Sequence, residues 1–248
     1  MQAKYTKETS IQLSQIDPLG RLSVPETFDL FMNTAAEAAE ALGIGIGMLR
    51  TRGLFWLTVK TRVEFIRRPM IGERVTVSTW PDAPGDTRCE RHYAITGGGE
   101  TLVKGKTEWA IADMRTGRPQ NLAGIMPEGL AYDIAPACPE PFPMIDDAFP
   151  EPPFAEHRVQ TLDIDMARHM NNVAYVRAIV NAFSVKAWLG MDVRRMDIIF
   201  RASAREGDVL SFQKRISGDT LDIRGSLPGG ETSVMARLIL REQATGNR

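Results

Sequence analysis

Apolar residues recur at two different spacings along this chain, and the two spacings predict helices and strands. From Phe28 to Leu42 the apolar residues return every three or four positions, which predicts a helix with one buried face. Ser23 and Glu26 before this stretch have the spacing of a capping box, and Gly43 after it is a typical helix end. Elsewhere in this part apolar and polar residues alternate, which predicts strands at residues 5–14, 55–66, 73–80, 88–96 and 101–114.

Residues 119–155 break this alternation and predict a linker. Prolines crowd into this stretch, and no regular period of apolar residues remains. Its apolar side chains, among them Ile145 and Phe149, predict that the linker lies on the protein surface rather than free in solvent. The predicted domains are therefore residues 1–118 and 156–248.

The same order of elements returns after the linker. The pattern predicts a strand at 157–162, a loop at 163–172, a helix from an Asn172 cap to Gly190, strands near 195–202, 208–216, 220–227 and 233–240, and a frayed tail from 241. The two parts align at an offset of about 148 positions, with Asp165 on Asp17 and His169 on Arg21. A duplicated unit of one strand, one helix and four strands predicts an α+β fold with antiparallel sheets.

The chain is nearly neutral and has few cysteines. A net charge of −1 over 248 residues argues against a protein that binds nucleic acid through bulk positive charge. The two cysteines, Cys89 and Cys138, lack the spacing of a metal site or a disulfide framework, so we predict reduced thiols and no metal or cofactor. No apolar run approaches the ~18 residues of a membrane span, and the first ten residues lack a signal-peptide core, so we expect a cytoplasmic protein.

The loop at residues 163–172 is the stretch of the chain with the strongest candidates for catalytic side chains. It holds Asp163, Asp165, His169 and two asparagines directly before a predicted helix. An imidazole can accept and donate a proton near neutral pH, and a helix N-terminus presents free N–H groups. These residue types are compatible with a hydrolytic site. A polar turn before an Asn-capped helix, with His169 on the surface, explains the same residues without any function.

These patterns together resemble the acyl-acyl carrier protein thioesterases of bacteria and plant plastids. The segments that carry the resemblance are residues 53–57, 64–69, 72–81, 109–113, 116–119 and 163–175. The resemblance implies a tandem double hotdog, in which two antiparallel sheets are each wrapped around a long central helix. It also implies hydrolysis of acyl thioesters, with acyl carrier protein as the partner and without a cofactor.

The family's usual active-site pattern is Asp-x-Asn-x-His, followed later by a Glu-Cys pair. Asp165 and His169 match this pattern, whereas Ala167 occupies the Asn position and Ser203-Ala204 the Glu-Cys position. The resemblance makes Asp165 the base for a water, or a direct nucleophile, and His169 the group that polarises the carbonyl or protonates the thiolate. Asn172 and Ser203 are weaker catalytic candidates.

The first half is expected to bind the acyl chain, and basic residues are expected to meet the acidic carrier. Candidate acyl contacts are Phe28, Phe31, Trp56 and Trp80, although ordinary core packing is the more common explanation for any one of them. Candidate carrier contacts are Arg67 and Arg68, with Lys60 and Arg62 beside them, and a solvated strand face is the alternative explanation.

Three functions remain open at the level of the sequence. The first is hydrolysis of acyl-acyl carrier protein, and the second is hydrolysis of acyl-CoA. The third is a hotdog protein that binds acyl chains without cleaving them, which the changes at Ala167 and Ser203-Ala204 make possible. A dehydratase is disfavoured because no histidine and acid are split across the two copies. A homodimer is compatible with each of the three.

Overall fold

The computed structural model describes residues 3–241, and it divides the chain into two compact units. Unit 1 ends at Glu140 and unit 2 begins at Pro141. The boundary falls inside the predicted linker, so residues 119–155 are shared between the units. The predicted tail after residue 241 lies outside the described residues. None of the helices in residues 3–241 has the length and apolar character needed to cross a bilayer.

Unit 1 is an antiparallel sheet with one long helix and one short helix. Its elements are β1 (Tyr5–Ser10), α1 (Val24–Ala41), α2 (Ile46–Thr51), β2 (Leu54–Phe65), β3 (Arg74–Pro81), β4 (Arg88–Gly97), β5 (Glu100–Asp113) and the short β6 (Pro119–Gln120). The strand order is β1-β3-β4-β5-β2, with β6 paired to β5. The predicted helix and the four strands after it are confirmed to within a few residues. The predicted first strand, residues 5–14, ends at Ser10, and a short 3-10 helix follows at Leu13–Gln15, so its last part is wrong. Helix α2 was not predicted.

Helix α1 packs on the sheet through the predicted apolar stripe. Ser23 caps its first turn by accepting a hydrogen bond from Glu26 N at 3.3 Å, and Gly43 after its last turn has φ +71°. Phe31 lies over β5, where a Cβ on Gly105 would stand only 2.7 Å from the Phe31 ring. Glycine at position 105 therefore lets the helix lie close to the sheet.

A β-bulge changes which residues of β2 face the core. The register between β2 and β5 shifts between Thr58 and Lys60, so one residue is added to β2. Leu57, which we predicted on the same face as Val63, is 37% exposed, while Val63 is fully buried. The predicted uniform alternation along this strand is therefore wrong before the bulge.

The segment that ends unit 1 lies across the sheet face opposite α1. Trp80 Nε1 donates to Ala135 O at 3.2 Å, and Arg62 Nη1 donates to Glu140 O at 3.0 Å. Cys138 is completely buried there. This segment covers side chains that strand alternation alone would leave in solvent, which is why Arg62 is only 1% exposed.

Unit 2 repeats the arrangement with a shorter helix. Its elements are β7 (Ala155–Arg158), α3 (Asn172–Asn181), α4 (Val185–Gly190), β8 (Val193–Phe200), β9 (Val209–Ser217), β10 (Thr220–Ser226) and β11 (Thr232–Leu240), with strand order β8-β11-β10-β9-β7. The prediction of one helix from 172 to 190 is wrong, because Ser184 caps a separate helix, α4. The predicted cap is also wrong by one residue, since Asn171 Oδ1 accepts from Val173 N at 2.8 Å.

The first residues of unit 2 lie across its own sheet. Ile145 and Phe149 form a buried cluster with Met235. Asp147 accepts from Arg201 Nη1 at 2.7 Å and from Thr232 Oγ1 at 2.9 Å. The second part of the predicted linker is thus anchored by both apolar and charged contacts.

These contacts predict that Phe149 contributes to the stability of unit 2. Phe149→Ala should lower the free energy of unfolding by about 3 kcal/mol, because it leaves a cavity beneath the covering segment. Met144→Ala is the matched control, since Met144 is 94% exposed and should be close to neutral. Chemical denaturation followed by tryptophan fluorescence measures both, and equal stabilities for the two variants would contradict the packing.

Candidate active site

The loop around Asp165 in unit 2 is closed by the Asp165 carboxylate. Asp165 Oδ1 accepts hydrogen bonds from Ala167 N at 2.8 Å and from His169 N at 3.4 Å. Asp165 N donates in turn to His169 O at 2.9 Å. The turn brings Asp165 and His169 to its two ends, directly before the N-terminus of α3.

Unit 1 contains the same loop at the positions that the sequence alignment predicts. Asp17 Oδ1 accepts from Leu19 N at 2.9 Å and from Arg21 N at 3.1 Å, and Asp17 N donates to Arg21 O at 2.7 Å. Ser23 then caps α1 as Asn171 caps α3. The duplication predicted from the sequence therefore extends to individual backbone hydrogen bonds.

One residue in the unit 2 loop has an unfavourable backbone conformation. Arg168 has φ +62° and is the one non-glycine residue with positive φ in the described chain. Gly20, at the same place in unit 1, has φ +73°. A side chain costs roughly 1 kcal/mol in this region. The chain keeps that strain beside His169, and such strain often accompanies function.

The duplication also identifies which residue of unit 2 corresponds to Arg68. Leu22 N donates to Pro69 O at 2.8 Å, and Met170 N makes the same bond to Ala204 O at 2.8 Å. Pro69 therefore corresponds to Ala204, and the residue before each, Arg68, corresponds to Ser203. The segments that follow β2 and β8 thus bring Arg68 to Asp17 in the first loop and Ser203 to the matching position in unit 2.

The second carboxylate oxygen, Oδ2, has different partners in Asp17 and in Asp165. In unit 1, Asp17 Oδ2 accepts from Arg21 Nη2 at 2.9 Å and forms an ion pair with Arg68 Nη1 at 3.0 Å. Both partners in the Arg68–Asp17 pair are buried. In unit 2, no side chain of the described residues hydrogen bonds to Asp165 Oδ2, and Ser203 is exposed. Two guanidinium groups fill the first site, and the second site is open.

A buried tyrosine fixes the strand side of the unit 2 site. Ala204 N donates to the Tyr175 hydroxyl at 2.8 Å, and this hydroxyl lies 3.0 Å from Ser233 Oγ. Burial raises the pKa of Tyr175, although the hydrogen bonds from Ser233 and Ala204 oppose the rise. The backbone next to Ser203 is therefore held in place by α3.

The other two histidines each have a carboxylate partner. His157 Nε2 lies 2.8 Å from Asp163 Oδ2, and His92 Nε2 lies 2.9 Å from Asp82 Oδ2. The sequence did not reveal either pair, because the partners come from different elements. Within residues 3–241, the His169 imidazole makes no hydrogen bond to protein, so it is available to a substrate.

The sequence analysis also did not predict a small acidic cluster near His92. Ligand atoms of Asp82, Glu90 and His92 come within 4.8 Å of one another, which is close enough for a metal ion. Lys106 Nζ, however, lies 3.0 Å from Glu90, and Asp82 pairs with His92. Protein groups already pair with each member of this cluster.

An open depression of about 400 Å³ borders the unit 2 loop. It is lined by residues 158–162 together with Glu206 and Gly207. Asp165 and His169 do not line it. The depression therefore lies beside the loop, on the side of β7.

The predicted acyl contacts do not all face one region. Phe28 and Phe31 are buried on α1, and Phe31 stacks on Tyr93 with ring centroids 4.6 Å apart. Trp56 makes an edge contact with Trp109 on the same side of the sheet. Trp80 lies on the opposite face, under the covering segment. Trp80 is therefore not placed with the other three.

The predicted carrier contacts differ in how far their side chains are exposed to solvent. Arg67 is exposed and pairs with Glu73, with Nη2 and Oε1 2.6 Å apart. Lys60 is partly exposed and pairs with Glu108. Arg68 and Arg62 are buried, so the expectation that they meet a carrier at the surface is wrong. The Arg68 guanidinium belongs to the Asp17 ion pair instead.

Comparison with known proteins gives matches along both units. The model of the acyl-ACP thioesterase N-terminal domain matches residues 2–128, and that of the acyl-ACP thioesterase C-terminal domain matches residues 148–237. A crystal structure of an acyl-ACP thioesterase from Bacteroides thetaiotaomicron is similar, with a TM-score of 0.82 and 22% identity, covering 96% of this chain and 98% of that one. The 12:0-ACP thioesterase from Umbellularia californica gives a TM-score of 0.81 and 18% identity, covering 96% and 97%. These structures confirm the predicted double hotdog fold.

Curated relatives are similar at a comparable level. The acyl-[acyl-carrier-protein] hydrolase FATB3 of Cuphea viscosissima is 22% identical over 83% of this chain and 53% of its own length. The palmitoyl-acyl carrier protein thioesterase of Arabidopsis thaliana is 23% identical over 97% of this chain and 61% of its own length. The chain thus spans between half and two thirds of these relatives.

The two loops predict effects of different size for the same substitution on the free energy of unfolding. Asp17→Asn should lower the free energy of unfolding by about 3 kcal/mol, because it leaves a buried arginine without its counter-charge. Asp165→Asn should change it by less than about 1 kcal/mol, because the amide oxygen still accepts the loop hydrogen bonds. Parallel chemical denaturation of both variants measures the difference. Equal losses would show that the two carboxylates have the same surroundings.

Proposed function

We propose, from the premise that the chain belongs to the acyl-ACP thioesterase family, that it hydrolyses acyl thioesters and that acyl-acyl carrier protein is the substrate. The observation that carries this proposal is the free second oxygen of Asp165. The first oxygen is held by Ala167 N and His169 N, so the carboxylate has a fixed direction without a buried counter-ion. A carboxylate held in this way suits a base that must act repeatedly on water.

Asp165 is the base in the proposed reaction. Asp165 Oδ2 takes a proton from a water molecule as the water oxygen bonds to the thioester carbonyl carbon. The carbon–sulfur bond then breaks, and the leaving thiolate receives a proton from His169. The products are a fatty acid and a free thiol. Direct attack by Asp165 Oδ2 is the alternative: it forms an anhydride with the acyl group as the carbon–sulfur bond breaks and the thiolate leaves. If labelled water then attacks the carboxyl carbon of Asp165, the fatty acid is released and one labelled oxygen stays in the Asp165 carboxylate.

The departures from the family pattern leave these roles possible. Ala167 contributes its backbone N–H to Asp165, and any residue other than proline provides that group. Ser203 stands at the position that corresponds to Arg68 of unit 1, and its side chain is shorter, uncharged and exposed. Asn172 is the first residue of α3, one position after the cap, and remains the weaker candidate.

Unit 1 is proposed to bind the acyl chain through Phe28, Phe31 and Trp56. Phe28 and Phe31 are buried and Trp56 is partly buried, and their apolar surfaces fit an alkyl group. Arg67, which is exposed, is the proposed contact for the acidic carrier. We also propose a cytoplasmic location, because Cys89 and Cys138 are both free and buried.

Two alternatives are distinguished by the substrate. A panel of acyl-carrier and acyl-CoA thioesters, scored for released thiol, identifies the preferred carrier. Release from both at comparable rates would favour an acyl-CoA thioesterase, and binding without release would favour a non-catalytic acyl-binding protein. Unit 1, whose Asp17 is paired with two arginines, is the proposed non-catalytic copy, and unit 2 has neither arginine at the matching positions.

The roles of Asp165 and His169 predict different losses of activity. Asp165→Asn should remove most turnover, because an amide cannot accept the proton from water. His169→Ala should lower kcat on the order of 10²-fold, as expected for a lost proton donor. Steady-state release of thiol measures both, and His157→Ala is the control histidine. Wild-type rates for Asp165→Asn would place the catalytic group elsewhere.

The two cysteines should take no part in the reaction. Burial raises the pKa of Cys89 to about 11 and that of Cys138 to about 12, so both remain protonated at pH 8. Treatment of the folded protein with iodoacetamide at pH 8 should leave activity unchanged. Mass spectrometry should show alkylation only after unfolding. Loss of activity on alkylation of the native protein would implicate a thiol.

A further inference from the structure

The interior of unit 1 contains a group of polar side chains that an alkyl-binding site does not need. Arg91 and Tyr93 on β4, and Trp109 on β5, point to the same side of the sheet as Phe31. The strand register places Arg91 opposite Thr107, next to Trp109 along β5. Three side chains able to donate hydrogen bonds therefore lie on one face of the sheet, among the buried threonines Thr79 and Thr107 and the apolar residues of the core.

Arg91 is a buried charge without an acidic partner. It is 6% exposed, and its Nη1 donates to Thr79 Oγ1 at 3.3 Å. Within residues 3–241 no carboxylate forms an ion pair with it. Burial lowers its pKa, while Tyr93 and Cys89 oppose this effect. A buried guanidinium without a counter-ion is costly, and proteins seldom keep one without a use.

Tyr93 and Trp109 add two donors that lack well-formed partners. The Tyr93 hydroxyl and Trp109 Nε1 are both buried, and their contacts with each other and with Thr107 fall short of well-formed hydrogen bonds. Burial raises the pKa of Tyr93, while the Arg91 charge and the contacts with Thr107 and Trp109 oppose the rise. A buried guanidinium without a counter-ion, beside two poorly paired donors, predicts an acceptor from outside the chain.

Unit 2 shows that the fold does not require these polar groups. Because β3 pairs with β4 as β9 pairs with β10, Arg91 corresponds to Leu221 and Tyr93 to Ile223. Both residues of unit 2 are buried and apolar. The same positions of the sheet are therefore stable with aliphatic side chains, and the polar group is a property of unit 1 alone.

We propose that Arg91, Tyr93 and Trp109 bind a carboxylate carried on an alkyl chain. This inference rests on the proposed function, because Tyr93 stacks on Phe31 and Trp109 contacts Trp56, two of the proposed acyl contacts. A carboxylate supplies the negative charge that Arg91 lacks and accepts from the neighbouring donors. It has two sources: the far end of a dicarboxylic acyl chain, or a free fatty acid.

The test compares wild type with Arg91→Leu, the residue that unit 2 uses. Isothermal titration with dodecanedioate, laurate and dodecanol measures binding directly and needs no turnover. Arg91→Leu should weaken binding of a carboxylate ligand on the order of 10- to 100-fold, the range of a charge-assisted hydrogen bond. Dodecanol binding should be unchanged. Arg50→Leu, which removes an exposed charge from α2, is the control and should bind as wild type does.

Hydrolysis then separates the two sources. If Arg91→Leu loses turnover on an ω-carboxydodecanoyl thioester but keeps turnover on a dodecanoyl thioester, the bound carboxylate is the far end of the substrate. If Arg91→Leu weakens only the binding of laurate, the bound carboxylate belongs to a free fatty acid. If neither carboxylate binds wild type, or if Arg91→Leu binds both unchanged, the proposal is wrong.

Two further measurements distinguish a ligand-binding role of Arg91 from a structural one. Without ligand, Arg91→Leu should unfold at a higher temperature than wild type, because an uncompensated buried charge is removed; a lower temperature would indicate a structural role and contradict the proposal. If Arg91→Leu does not fold, Tyr93→Phe replaces it and should weaken carboxylate binding about tenfold. Carboxylate binding without any hydrolysis would overturn the proposed function and leave this inference standing.

Discussion

Each unit depends on an aspartate that accepts hydrogen bonds from the backbone of its own loop. Asp17 and Asp165 each use Oδ1 to hold the N–H groups two and four residues later. These bonds shape the turn before the helix and fix the direction of the carboxylate. Because one oxygen is occupied in both loops, any difference in chemistry must come from the other oxygen and from what surrounds it.

The duplication gives this protein an internal comparison between a filled site and an open one. In unit 1, Arg21 and Arg68 neutralise the free oxygen of Asp17 and exclude water from it. At the matching positions unit 2 has His169 and Ser203, which are smaller and carry no permanent charge. This exchange of residues explains why the unit 1 loop contains a stable ion pair, whereas the unit 2 loop retains groups suited to proton transfer.

Local patterns in the sequence predicted the elements and the loop, whereas contacts between distant segments were not predictable. Residue spacing alone predicts the apolar stripe of α1, the strands, and the alignment of Asp165 with Asp17 in the duplicated sequence. The bulge beside Thr58 and the break before Ser184 interrupt a regular period without an obvious local signal. The burial of Arg68 depends on Asp17, a residue about 50 positions away, and strand alternation alone suggested an exposed side chain.

A crystal structure of the protein with a non-hydrolysable acyl-pantetheine, in which a methylene group replaces the thioester sulfur, is the most direct test of the role of Asp165. The predicted result is a carbonyl carbon about 3–3.5 Å from Asp165 Oδ2, or joined to it by one water, with His169 facing the leaving-group side. Asp17 should keep both arginines in the same crystal. A carbonyl bound away from the Asp165 loop, or a protein side chain occupying Asp165 Oδ2, would contradict the account.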